Sequence, residues 1–154
     1  MRTSVDVHNF LQEREIPHEL VPLRDRYRSA ERAAAALGLP LRQVGRVFLY
    51  EAGDRPVAAL VAADRDPSAE LVARAAGEAK LDPVPPQRAT DMTGFLHEAM
   101  PPAGLPANTL VLIDRHLHDE DVLYFAGGEV TSVLKIRAPD LVKATDARVA
   151  DITG

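Results

Sequence analysis

Two apolar runs, residues 44–51 and 56–63, flank the turn Ala52-Gly53-Asp54, and this pairing restricts the fold more than any other feature of the chain. Runs rich in Val, Phe, Leu and Tyr on either side of a Gly-Asp turn predict a β-hairpin. More strands follow in the second half: 109–114, the polar turn RHLHDED, 122–126, the Gly127-Gly128 turn, and 131–137. Helical patterns are interleaved mainly with the first half. The spacing predicts helices over 4–15 (Ser4 as N-cap), from Ser29 to Gly38 and Pro40, briefly over 41–44, over 68–80, and over 139–144. Residues 18–21, 81–86 and 148–152 read as short extended pieces. This order predicts an α+β fold: one domain over 1–154, a mixed, largely antiparallel sheet, partly closed and barrel-like, flanked by helices.

Composition narrows the chemistry. The 154 residues contain no cysteine, which removes disulfides, thiolate nucleophiles and cysteine-ligated zinc. No apolar run approaches the roughly 20 residues of a membrane span, so a cytoplasmic protein is expected. A formal net charge of -5 disfavours general DNA binding but permits a local basic patch. Dinucleotide, P-loop, zincin and hydrolase-elbow motifs are all missing, and no cofactor is expected. Asp114, His116, His118, Asp119 and Asp121 offer metal-ligand residue types, yet their spacing fits no compact ligand set, and no metal is expected.

Residues 90–114, ATDMTGFLHEAMPPAGLPANTLVLID without its first alanine, read as an irregular Gly/Pro segment entering a strand. Gly94, Gly104, Pro101, Pro102 and Pro106 break regular structure, whereas Phe95, Leu96 and Met100 are too apolar for an idle linker. A packed, shaped loop is expected, of the kind that either carries a site or merely crosses the fold.

Three segments then carry a resemblance: QVGRVFLYEAGDRPVAALVA, TGFLHEAMPPAGLPANTLVLID and VLYFAGGEVTSVLKIRAPDLVKATDARVADI. Together they resemble the YbaK/ProX family, free-standing relatives of the editing domain of bacterial prolyl-tRNA synthetases. The resemblance spans nearly the whole chain and implies hydrolysis of mischarged aminoacyl-tRNA on a mixed α/β domain. It further implies a site built from a lysine on the first hairpin strand and a Gly-x-x-x-Pro loop, with the substrate's terminal ribose hydroxyl assisting.

Matched by residue, the lysine position is Arg46 and the loop proline is Pro102 or Pro101, so that Glu98 or His97 stands where the family has glycine. Ala126 replaces a serine before the Gly127-Gly128 turn, and Val133 an aspartate beyond it. The resemblance thus implies Arg46 as a catalytic candidate, and Gly94, Phe95, Pro101, Pro102, Gly127 and Gly128 as substrate-binding ones; His97 is a catalytic candidate on its own chemistry, because an imidazole can serve as a general base or hold a water. Read from the residues alone, Arg46 is a solvent-facing charge on its strand, and His97 with Glu98 an exposed loop pair. Arg24, Arg26, Arg28 and Arg32 either track a nucleic-acid backbone or solubilise a helix start.

The ester chemistry needs a positioned water and hydrogen-bond donors for the developing oxyanion. The expected partner is the acceptor end of an aminoacyl-tRNA, with an aminoacyl-tRNA synthetase a further one. The alternative is a binding module that holds a tRNA end, a nucleotide or a protein on the same fold without turnover.

Overall fold

A computed structural model describes residues 1–154. Strands β2 (Gly45–Ala52) and β3 (Arg55–Ala62) form the expected hairpin, in register from Gly45 opposite Ala62 to Ala52 opposite Arg55. The turn narrows to Gly53-Asp54, with Gly53 at φ 61°, where a residue without Cβ is unstrained.

Strand β3 is the centre of a five-stranded sheet. Its other edge pairs in parallel with β5 (Leu110–Asp114), and β5 in parallel with β8 (Arg148–Ala150). The two-residue β4 (Asp82–Pro83) lies antiparallel on β2 at Tyr50 and Glu51. A second sheet is fully antiparallel: β1 (Glu19–Pro22) and β6 (Val122–Ala126) flank β7 (Ser132–Arg137). The mixed, largely antiparallel α+β architecture is therefore present. The two sheets do not close into a barrel, however; they are linked by an isolated bridge between Val44 and Tyr124.

Because β3 is central, it is buried from Pro56 onward and its side chains serve two cores alternately. Ala58, Leu60 and Ala62 join the cluster around Phe95, Leu123 and Phe125. Val57, Ala59 and Val61 join the other, against Leu112, Ile152 and helix α3 (Ala69–Ala76).

Several local expectations shift. Helix α1 (Ser4–Glu13) is capped by Thr3, one residue earlier than expected, because Thr3 and Asp6 complete a capping box. Helix α2 (Ala30–Leu37) has its predicted Ser29 and Gly38 caps, and a 3-10 turn follows at Leu41–Gln43. α3 stops four residues short of Lys80, since Gly77 adopts the left-handed conformation at φ 75°. The segment read as extended and then irregular contains helix α4 (Pro86–Thr93): Pro86 suits a first helical turn, and Gly94 ends it. In the polar turn after β5, Asp114 caps one turn of helix, α5 (Arg115–His118). The last helix, α6, covers Ala138–Thr145. No helix is long and apolar enough to cross a membrane.

Candidate functional site

The short β4 leaves part of β2 uncovered. Beyond Tyr50 and Glu51 the outer edge of β2 has no partner strand in its sheet. The Leu49 carbonyl points to that edge, where it accepts from Val84 N–H at 3.0 Å. By the two-residue period of a strand, the Val47 N–H and C=O face the same way.

Between this edge and the second sheet lies a cavity of about 460 Å³, within the size range of small-molecule sites. Its walls come from β2, from α2 and the segment before it, from the turn His97–Ala99 with Met100, and from Tyr124, Phe125, Ala126 and Val133 of the second sheet. Most of the lining is apolar. The close approach of the sheets depends on Gly45, where a Cβ would fall 2.2 Å from the buried Phe125 ring.

Arg46 projects from β2 into this lining, its side chain 26% exposed. Its guanidinium donates to the Arg65 carbonyl and to Asp66 Oδ1 at 3.1 Å, and lies 4.0 Å from Glu31 Oε1. It also sits 5.0 Å from the centre of the Phe48 ring. These contacts fix the guanidinium, yet Arg46 Nε is buried with no hydrogen-bond partner in the protein. A fixed cation on the wall of a mostly apolar cavity is suited to an oxygen of a bound ligand.

His97 lies at the cavity's rim, exposed, with its backbone N–H donating to Thr90 Oγ1 at 3.2 Å. Its neighbour Glu98 accepts from Arg28 Nη1 at 2.7 Å. The structure thus brings Arg46, His97, Glu98, Ala126 and Val133 to one cavity.

The six candidates expected to bind substrate lie elsewhere, outside the cavity lining. Phe95 is fully buried in the core, and Pro101 and Pro102 are buried beside it in the loop. Gly94 ends α4 at φ 81° and its carbonyl accepts from Arg2 N–H at 2.8 Å. Arg2 also donates to the Gly104 carbonyl at 2.6 Å and lies 4.8 Å from the Phe95 ring centre, so the N-terminal segment straps this loop down. Gly127 N–H donates to Ser132 O at 2.9 Å and Gly128 N–H to Ala99 O at 3.1 Å. At Gly128 a Cβ would meet the Thr3 backbone at 3.0 Å. These residues shape the wall from behind.

Arg24, Arg26 and Arg32 are exposed near the cavity, and no ion pair engages them. Their segment is held by Leu23 N–H to Thr131 O at 2.8 Å and Tyr27 N–H to Val130 O at 3.0 Å. The acid and histidine residues after β5 do not assemble around a metal position, and no group of three or more potential ligands occurs in the chain. Asp114 is fully buried, accepting from Ile152 N–H at 3.0 Å and Thr153 Oγ1 at 3.1 Å, and it pairs with His116 Nδ1 at 3.1 Å.

Sequence reasoning missed Glu31, Asp66 and Glu129. Glu129 lines the cavity, and its Oε1 accepts from Ser4 Oγ at 2.6 Å and Ser4 N–H at 2.9 Å. The Ser4 hydroxyl first, and then the Ser4 amide, hold its carboxyl below the usual carboxylate range. The only signal in the sequence was its place directly after Gly127-Gly128.

Comparison with known proteins agrees with this architecture. The family described as the aminoacyl-tRNA editing domain matches residues 25–144. Among solved structures, the hypothetical protein APE2540 superposes with a TM-score of 0.90 at 23% identity, over 97% of this chain and 99% of that one. Another, reported as "a putative trans-editing enzyme for prolyl tRNA synthetase", gives 0.89 at 22% identity, over 100% and 98%. At these identities the two structures establish a shared fold.

Proposed function

The chain belongs to the family of aminoacyl-tRNA editing domains, and from that premise we propose that it removes a small amino acid from mischarged tRNA by hydrolysing the ester. The observation that carries this reading is the Arg46 guanidinium held in place on the wall of a mostly apolar cavity. A cavity of this size and lining suits a short aliphatic side chain with the ester that bears it.

In the reaction, water attacks the ester carbonyl carbon, and the bond from that carbon to the ribose oxygen then breaks. The proton lost by the water ends on the departing ribose oxygen, so free amino acid and an intact ribose hydroxyl result. Arg46 does not act as the base, because a guanidinium keeps its proton in proteins. Its role in this reading is to hold an oxygen of the ester or of the adjacent phosphate. The outward Val47 N–H would face the oxyanion, where a preorganised donor lowers the barrier by a few kcal/mol. The neighbouring ribose hydroxyl relays the proton. His97, at the rim, would position water.

Outside the cavity, Arg24, Arg26 and Arg32 would follow acceptor-end phosphates, and an aminoacyl-tRNA synthetase would supply the mischarged substrate. Incubation with Ala-, Cys-, Ser- and Pro-charged tRNA, with amino acid release followed against the spontaneous rate, tests the reading. Release from one of these tRNAs is expected. If no charged tRNA is turned over, the deacylase reading fails, and tRNA binding retained under those conditions would mark the cleft as a binding module.

A further inference from the structure

Three carboxylates line the cavity: Glu31, Glu98 and Glu129. Two face arginines, Glu98 with Arg28 at 2.7 Å and Glu31 with Arg46 at 4.0 Å. Glu129 differs, because no Lys, Arg or His of the chain pairs with it. It is instead fixed through Oε1 by Ser4, the first residue of α1. Neutral donors and a ten-residue helix's N-terminus both favour the ionised carboxylate without cancelling its charge by a counter-ion. An apolar cavity therefore carries one immobilised negative charge with no cationic partner. Such a charge is complementary to a small ligand bearing a cation next to an apolar group.

An aminoacyl ester is such a ligand, since its α-amine is protonated near neutral pH and sits one bond from the side-chain-bearing carbon. We propose that Glu129 receives the α-ammonium group of the aminoacyl moiety, so that the site takes esters with a free amine and rejects N-acylated ones. This rests on the cavity being the aminoacyl site, as in the reading above. Acylation would remove the cation and leave the carboxylate without a partner in the complex.

The test uses 3′-(alanylamino)-3′-deoxyadenosine, whose amide resists hydrolysis, and its N-acetyl derivative, titrated calorimetrically into the full chain. The free-amine compound should bind roughly tenfold or more tightly than the acetylated one, as expected for a charge-assisted hydrogen bond. Glu129→Gln, which keeps an acceptor for Ser4, should bind both alike, whereas Glu98→Gln should retain the preference. Should Glu129→Gln fail to fold, Glu129→Asp, with its charge withdrawn by one methylene, must narrow the preference. Equal binding of the two compounds by the wild-type chain, binding of neither, or an undiminished preference in the Glu129 variant overturns the proposal. Preference without amino acid release from any charged tRNA would sink the deacylase reading alone; release without preference would sink this inference alone.

Discussion

Arg28 and Glu98 meet at 2.7 Å on the rim of the cavity, joining the segment ahead of α2 to the turn that carries His97. Both side chains are substantially exposed, so the pair stabilises the fold by less than about 1 kcal/mol. Its consequence is for binding. Glu98→Gln releases the Arg28 charge toward an incoming phosphate, and should lower KM for charged tRNA by a factor of a few, with a log-log salt slope steeper by roughly one. Arg28→Ala should raise KM and flatten the slope. Measuring KM at several salt concentrations decides the matter; identical slopes in all three proteins would mark the pair as a bystander.

Arg46 gives a prediction that its contacts sharpen. Viewed as a charge on a strand it would be replaceable at no structural cost, but its guanidinium holds the Arg65 carbonyl and Asp66 beneath the hairpin. Arg46→Ala should therefore lose hydrolysis or tRNA-end binding almost completely and also cost about 1–2 kcal/mol in denaturant unfolding. Arg46→Lys keeps the charge but not the fork of donors. It should recover most of the stability and little of the activity. Full activity in the lysine variant would show that only a positive charge is needed at this position.

Gly45→Ala probes the junction of the sheets. The added Cβ falls 2.2 Å to 2.8 Å from three atoms of Phe125, a residue only 1% exposed, so the ring must shift from its packed position. Overpacking of this kind costs roughly 1–3 kcal/mol. The loss should appear as a lower urea midpoint with an unchanged m-value, together with weaker ligand binding, because Phe125 lines the cavity. A variant as stable as the wild type would mean that the sheets slide apart at little cost.

The hairpin and its arginine were legible because they depend on neighbours in the chain: the apolar run of β2 and the Gly53-Asp54 turn are local facts. The family resemblance also led to the right fold and to Arg46, while His97 was legible from its imidazole; both line the cavity. The loop candidates illustrate the limit. Phe95 and Gly94 carry a recognisable motif, but the motif sets the path of the loop, and the arginine that clamps it, Arg2, lies 102 positions from its Gly104 partner. Glu129 was illegible for a similar reason: its fixed charge comes from Ser4, 125 positions away. Helix α4 was missed through its prolines. Pro85 and Pro86 rule out a helix before them, yet Pro86 in the first helical turn marks a beginning. The open edge of β2 depends on β4 being only two residues long, and pairing length is not written in any local pattern.

Tyr50 supplies a pH dependence. Its phenol lines the cavity and is largely buried, and burial pushes its pKa above the ordinary 10.0. In the unfolded chain the phenol loses its proton near 10.0, whereas in the folded chain it keeps the proton to higher pH. Between those values the folded state binds more protons, so stability present below about pH 10 is lost as pH rises through that interval. Tyr50→Phe cannot ionise, so its stability should fall less steeply with alkaline pH. Below pH 9 the two proteins should agree within about 1 kcal/mol. Urea midpoints measured from pH 8 to pH 11 compare the slopes directly. Curves that stay parallel across the whole range would mean that opening of the site admits solvent to Tyr50 before global unfolding, and that its burial contributes no alkaline sensitivity.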